Sequence, residues 1–178
     1  MNSILFSHSY FLRFDPKQWA TGQPYPPLAT LYAAALMREN GYTVSLFDTM
    51  FAHGAPDVQP AIDQQAPDIF VLYDDGFNYL TKMCLTNMRT AAFAMMKLAK
   101  AKGCTVIVSS SDSTDHFEDY LREGADFIIM GEGEMTLLEL VQTITNKENN
   151  FQNIAGLAFA HDDQIIKTTR RLVMKDLD

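Results

Sequence analysis

Pro67-Asp68-Ile69-Phe70-Val71-Leu72-Tyr73-Asp74-Asp75-Gly76 is the stretch that decides the fold. Its four consecutive apolar residues, Ile69 to Leu72, do not alternate with polar ones, so this strand is buried on both faces. A proline precedes it and Asp-Asp-Gly follows it, which bounds it on both sides. A strand with no solvent face belongs inside a sheet covered by helices above and below. Working outward, Ser3–Ser7, Thr43–Phe47, Cys104–Val108 and Asp126–Met130 read as four further strands.

Helical periodicity fills the intervals. Pro26-Pro27 opens a helix whose Leu28, Leu31, Tyr32, Ala35 and Leu36 share one apolar face, and Gly41 ends it. Asp57–Gln65 is a weaker helix with Val58, Ala61 and Ile62 inward. Tyr79–Lys102 is a long one, through Met83, Met88, Ala91, Ala92, Met95 and Leu98. Thr114 or Asp115 caps a short helix to Glu123, and Glu134–Thr145 places Leu137, Leu138, Val141 and Ile144 inward. His8–Pro27 shows no periodicity and reads as a long loop. Five strands alternating with helices predict an α/β fold: a doubly wound five-stranded parallel sheet, flavodoxin-like, of order 2-1-3-4-5. Gly156–Ala160 and Gln164–Thr168 flank a turn and predict a C-terminal β-hairpin. The expected division is 1–150 for the sheet domain and 151–178 for hairpin and linker, with charged Arg170–Asp178 having no partner element.

Composition narrows the function. The chain has 178 residues, 47% hydrophobic and 20% charged, which suits one folded domain rather than a disordered segment. A net charge of -8 argues against a nucleic-acid groove or an anionic membrane surface. No apolar run is long enough for a membrane span, and the N-terminus has no basic region ahead of an apolar one. Cys84 and Cys104 form no C-x-x-C and read as buried thiols of a reducing, cytoplasmic compartment.

Ligands of such a sheet sit beyond the carboxyl ends of its strands. The candidate rim is therefore Ser7, His8, Ser9 and Tyr10 after the first strand, and Asp74, Asp75, Gly76, Phe77 and Asn78 after the third. Ser109, Ser110, Ser111 and Asp112 follow the fourth, and Gly131, Glu132, Gly133 and Glu134 the fifth. This rim is rich in hydroxyls and holds no Lys or Arg. It suits neutral amide and hydroxyl groups of a large ligand and suits a nucleoside triphosphate poorly. There is no G-x-G-x-x-G after the first strand and no P-loop. Phosphorelay receiver domains share the fold class but need acidic residues after the first strand and Lys after the fifth. His8 is either a metal ligand or an ordinary hydrogen-bonding imidazole. Asp74-Asp75 is either a metal site or a solvated turn. Trp19 and Tyr25 either cover a ligand or fasten the loop to the sheet.

Several stretches then carry a family resemblance. Pro26-Pro27-Leu28-Ala29-Thr30-Leu31-Tyr32-Ala33-Ala34-Ala35-Leu36, with Asn40-Gly41-Tyr42-Thr43-Val44, resembles the first helix and second strand of cobalamin-binding domains in radical SAM enzymes. Pro67-Asp68-Ile69 fits the start of that family's third strand. Gly124 through Glu134, followed by Thr136-Leu137-Leu138-Glu139-Leu140, is the most specific match. Ile154 through Phe159 with Ile165-Ile166-Lys167-Thr168 is similar to the hairpin that follows the domain, and Lys175-Asp176-Leu177-Asp178 looks like the start of a linker to the radical SAM barrel.

The resemblance implies a cytoplasmic cobalamin carrier that offers its cobalt, often as methyl donor, to a radical SAM barrel of the methyltransferase or anaerobic tetrapyrrole cyclase type. It implies corrin contacts from Tyr10, Tyr73, Phe77 and Asn78, and contacts to the nucleotide tail from Ser109, Ser110, Gly131, Glu132 and Gly133. Ser7, His8, Asp74 and Ser111 complete the expected site. The C-x-x-x-C-x-x-C for a four-iron cluster is absent, so cluster and S-adenosylmethionine would belong to a barrel acting in cis or in trans, and this unit would not itself be catalytic. Two departures motivate an alternative. Ser109-Ser110 stands where the family commonly has Gly-Gly, and no D-x-H-x-x-G follows the first strand. The alternative is a degenerate docking or substrate-presenting module of the same fold. A flavodoxin-like small-molecule sensor is a third reading.

Overall fold

The computed structural model describes residues 3–74, 85–162 and 164–172. Strands β1 (Ser3–Ser7), β2 (Thr43–Phe47), β3 (Ile69–Tyr73), β4 (Thr105–Ser109) and β5 (Phe127–Ile129) run parallel, in the order β2-β1-β3-β4-β5. This is the expected order. The hairpin, β6 (Leu157–His161) and β7 (Gln164–Lys167), does not stand apart. It pairs antiparallel onto β5, with Phe127 opposite Phe159, and extends one sheet to seven strands.

Helices cover both faces. Leu5, Phe70, Leu72, Val106 and Val108 point to one side, against Val58 just before α3 (Gln59–Gln65), Ile62 within it, and Ala91, Ala92, Met95 and Met96 of α4 (Leu85–Ala101). Ile4, Phe6, Ile69, Val71 and Ile107 point to the other, against α2 (Leu28–Glu39) and α7 (Glu134–Thr145). Alternate residues of β3 thus enter opposite cores, and the strand is fully buried, as its unbroken apolar run requires. The residues before Leu85 that were expected in the long helix, from Tyr79, lie outside the described set.

Three local expectations are corrected. The inward face of α2 is Thr30, Ala33, Ala34 and Met37; Leu28, Leu31 and Tyr32 are 53%, 39% and 64% exposed. Small residues let the helix lie close on the sheet. Thr30 also reaches the end of β3, where its hydroxyl donates to the Tyr73 carbonyl at 2.5 Å. Periodicity found an apolar stripe but could not see that shape, not hydropathy, selects the packed face. The stretch His8–Pro27 is not structureless. A 3-10 turn at Leu12–Phe14 leads to helix α1 (Pro16–Thr21), which starts on the Asp15 carboxylate accepting from the Gln18 N–H at 3.1 Å and ends at left-handed Gly22. Between β4 and β5 there are two short helices, α5 (Ser111–Asp115) and α6 (Phe117–Arg122), and the cap of the first is Ser110 rather than Thr114 or Asp115.

Candidate functional site

The parallel register brings three strand ends level: Tyr73 lies beside Ser109, and Ser109 beside Ile129. The three exit loops therefore open at one height, and a cleft of about 440 Å³ lies between them at the carboxyl edge. Tyr73 and Asp74 come from β3. Ser109, Ser110 and Ser111 come from β4 and its exit, and Gly131, Glu132 and Gly133 from the loop after β5. These eight expected residues all line it. Glu134, named with the rim after the fifth strand, lines it too, and Ala29, Thr114, Asp115, Arg170 and Arg171 also line it and were not expected.

The floor is tightly built. A β-carbon on Gly133 would run into the Tyr73 hydroxyl, and would lie 3.0 Å from the Ser109 hydroxyl and 3.1 Å from Ile129. Glycine is thus required here by close approach, while α7 begins at once on Glu134. Burial, then the neighbouring Glu134 carboxylate, pushes the Tyr73 phenol far above its ordinary range, so it stays protonated and donates to Glu134. In the serine run, the Ser110 hydroxyl accepts from the Ser113 N–H at 2.8 Å, and the Ser113 hydroxyl accepts from the Ser110 N–H at 3.0 Å. This capping box holds the cleft wall at the start of α5.

Two buried carboxylates, Asp74 at the cleft and Asp112 behind its wall, are in contrasting states. Asp74 takes the Ser9 N–H at 2.6 Å and the Ser9 hydroxyl at 2.8 Å, yet burial outweighs these bonds and raises its pKa. Burial works the same way on Asp112. There, Arg89 grips both oxygens, at 2.8 and 2.5 Å, and the Tyr120 hydroxyl donates at 2.9 Å; together they hold the pKa below its ordinary value. The pH consequences are opposite. The contribution of Asp112 is present above the ordinary carboxylate range and is lost as pH falls through its lowered pKa. That of Asp74 is present below that range and is lost as pH rises through its raised pKa. Asp74→Asn is therefore expected to raise the melting temperature near pH 7 and to change it little near about pH 3. Thermal melts at the two pH values check this; an equal effect at both would contradict the assignment.

Three expected site residues lie elsewhere. Ser7, His8 and Tyr10 are buried beneath the exits of β1 and β2 and do not line the cleft. The Ser7 hydroxyl donates to the Phe47 carbonyl at 2.7 Å. The His8 ring is held at 2.8 Å from Asp48 and 3.1 Å from the Thr49 hydroxyl. Tyr10 packs its ring on Tyr25, 5.3 Å between centroids, so Tyr25 fastens the loop, whereas Trp19 is 43% exposed beneath the Arg13 guanidinium. Phe77 and Asn78 lie outside the described residues. Among the described residues no group of three His, Cys, Asp or Glu could hold a metal ion, and no helix is long and apolar enough to cross a membrane.

No family model matches the chain. A curated relative, the anaerobic magnesium-protoporphyrin IX monomethyl ester cyclase of Synechocystis sp., is 27% identical over 156 residues; these are 86% of this chain and 30% of that protein. Among solved structures, the radical S-adenosylmethionine methyltransferase TsrM from Kitasatospora setae, with cobalamin and a [4Fe-4S] cluster bound, matches with a TM-score of 0.69. Its identity is 14%, over 99% of this chain and 30% of TsrM. The cobalamin-dependent S-adenosylmethionine radical enzyme OxsB, with aqua-cobalamin and S-adenosylmethionine bound, matches with a TM-score of 0.68 and 16% identity, over 97% of this chain and 23% of OxsB. The chain thus spans about 30% of the curated relative it matches. It is a homologue of an anaerobic magnesium-protoporphyrin cyclase and has the fold of a part of the cobalamin-dependent radical SAM enzymes, the family that its own residues resemble.

Proposed function

We propose that this chain is a cobalamin-binding domain that presents the cofactor to a radical SAM barrel, in cis or in trans. The observation that supports it is the cleft between the exits of β3, β4 and β5, floored by Gly133 where no side chain fits. Its volume suits a base with its ribose and phosphate but not a whole corrin, which would lie over the rim. The residues present fit such a tail. Ser109 and Ser111 offer hydroxyls, the loop of Gly131 and Gly133 leaves room, and Tyr73 borders the cleft. When bound, cobalamin supplies a cobalt centre able to carry a methyl group or to support radical chemistry. The residues of this chain hold and orient it, with the Tyr73 hydroxyl fixed beside the tail by its bond to Glu134. A four-iron cluster and S-adenosylmethionine belong to the barrel.

Anaerobic titration with hydroxocobalamin tests the reading. The expected result is a shift of the corrin absorption bands that saturates at about one equivalent. No shift with hydroxocobalamin or with methylcobalamin would overturn it in favour of a docking module that has lost the cofactor.

A further inference from the structure

The rim residues named from the sequence (7–10, 74–78, 109–112 and 131–134) include no Lys or Arg, yet the folded cleft contains two arginines, Arg170 and Arg171, supplied by the segment that follows the hairpin. That segment is tethered. The Gly156 N–H donates to the Thr169 carbonyl at 2.8 Å, and the Thr168 N–H donates to the Leu157 carbonyl at 2.9 Å. One residue beyond Arg170, the Arg171 guanidinium donates to the Thr136 hydroxyl at 2.7 Å and to both carboxylate oxygens of Glu139. Arg171 is therefore neutralised and grips α7. Arg170, pinned between these two tethers, is exposed at the cleft and has no ion pair or hydrogen bond with any described residue.

Among the described residues, the other ionisable groups facing the cleft are Asp74, Asp115, Glu132 and Glu134. One unpaired cation among carboxylates favours a ligand group with a single negative charge and repels a polyphosphate. We infer that Arg170 is a specificity-determining residue that binds the singly charged phosphodiester of the cofactor's nucleotide tail, and that Arg171 is the positioning residue that keeps it at the cleft. This rests on the cobalamin reading and adds to it the ligand feature that is read and the residue that reads it.

The test compares two corrinoids without a base: cobinamide, which lacks the phosphate, and cobinamide carrying a methyl phosphodiester. Each is titrated anaerobically into the full chain and followed by its absorption bands. The wild type is expected to bind the phosphodiester about tenfold more tightly, the scale of one charge-assisted contact. Arg170→Gln and Arg171→Ala are expected to bring that ratio to about one, whereas Arg170→Lys retains most of it. Raised salt should lower the wild-type ratio and leave that of Arg170→Gln unchanged. Binding of cobalamin by the wild type with no preference between the two probes, or a preference that survives in Arg170→Gln, would overturn the inference and leave the cobalamin reading standing. No binding of any corrinoid would overturn both.

Discussion

Gly133→Val is expected to lower cobalamin affinity by about a hundredfold or more. Even the first added carbon meets the Tyr73 hydroxyl, Ser109 and Ile129 at the cleft floor, and the two further branches of valine add bulk at the same place. Ring and floor cannot both keep their places, so the cleft closes or the Tyr73 ring swings into it. The same crowding costs about 1–3 kcal/mol of stability, the usual range for overpacking. Thermal melts and hydroxocobalamin titration separate the two effects, because a chain destabilised by that amount still folds at room temperature. Tyr73→Phe in the same chain removes the closest of the three atoms and is expected to recover part of the lost affinity. Unchanged affinity in Gly133→Val would show that the ligand lies elsewhere.

Asp112→Ala is expected to be the most destabilising single change behind the cleft, at about 3 kcal/mol. Asp112 is buried and receives both the Arg89 guanidinium and the hydroxyl of fully buried Tyr120. Removing it strands a cation that is partly shielded from water and a hydroxyl that has none. For a chain of this length the loss corresponds to a fall in melting temperature of about 6–12 °C. Adding Arg89→Met and Tyr120→Phe should recover much of it, since an apolar replacement of all partners leaves nothing stranded. A triple variant as unstable as the single one would place the cost in the serine cap of α5 rather than in the ion pair.

The fold was legible where burial leaves a sequence mark. The unbroken run Ile69 to Leu72 identified a doubly covered strand, and Pro and Gly punctuation set the alternation from which the strand order follows. It was illegible where shape or distant contacts decide. The face of α2 is chosen by the smallness of Ala33 and Ala34 and by Thr30 reaching a strand carbonyl. Helix α1 did carry local marks, an Asp-Pro start and a Gly stop, that periodicity alone passes over. The site follows the same division. Residues at the exits of β3, β4 and β5 follow from topology alone. The exit of β1 obeys the same rule but is covered, because Thr49 after β2 bonds His8 and the Tyr10 carbonyl and draws that loop under the surface. Arg170 reaches the cleft only because Arg171 finds Glu139 across 32 residues of chain, a contact with no local signature.

If the cleft takes the cofactor's base, as proposed, that base would not also be bound to the cobalt. Electron paramagnetic resonance of cob(II)alamin bound to the chain tests this. With the base in the cleft, and no histidine among the cleft-lining residues to replace it, each cobalt hyperfine line is expected as a single feature. Cobalt lines split into nitrogen triplets, with the protein bound, would show a nitrogen still on the metal and would contradict the account.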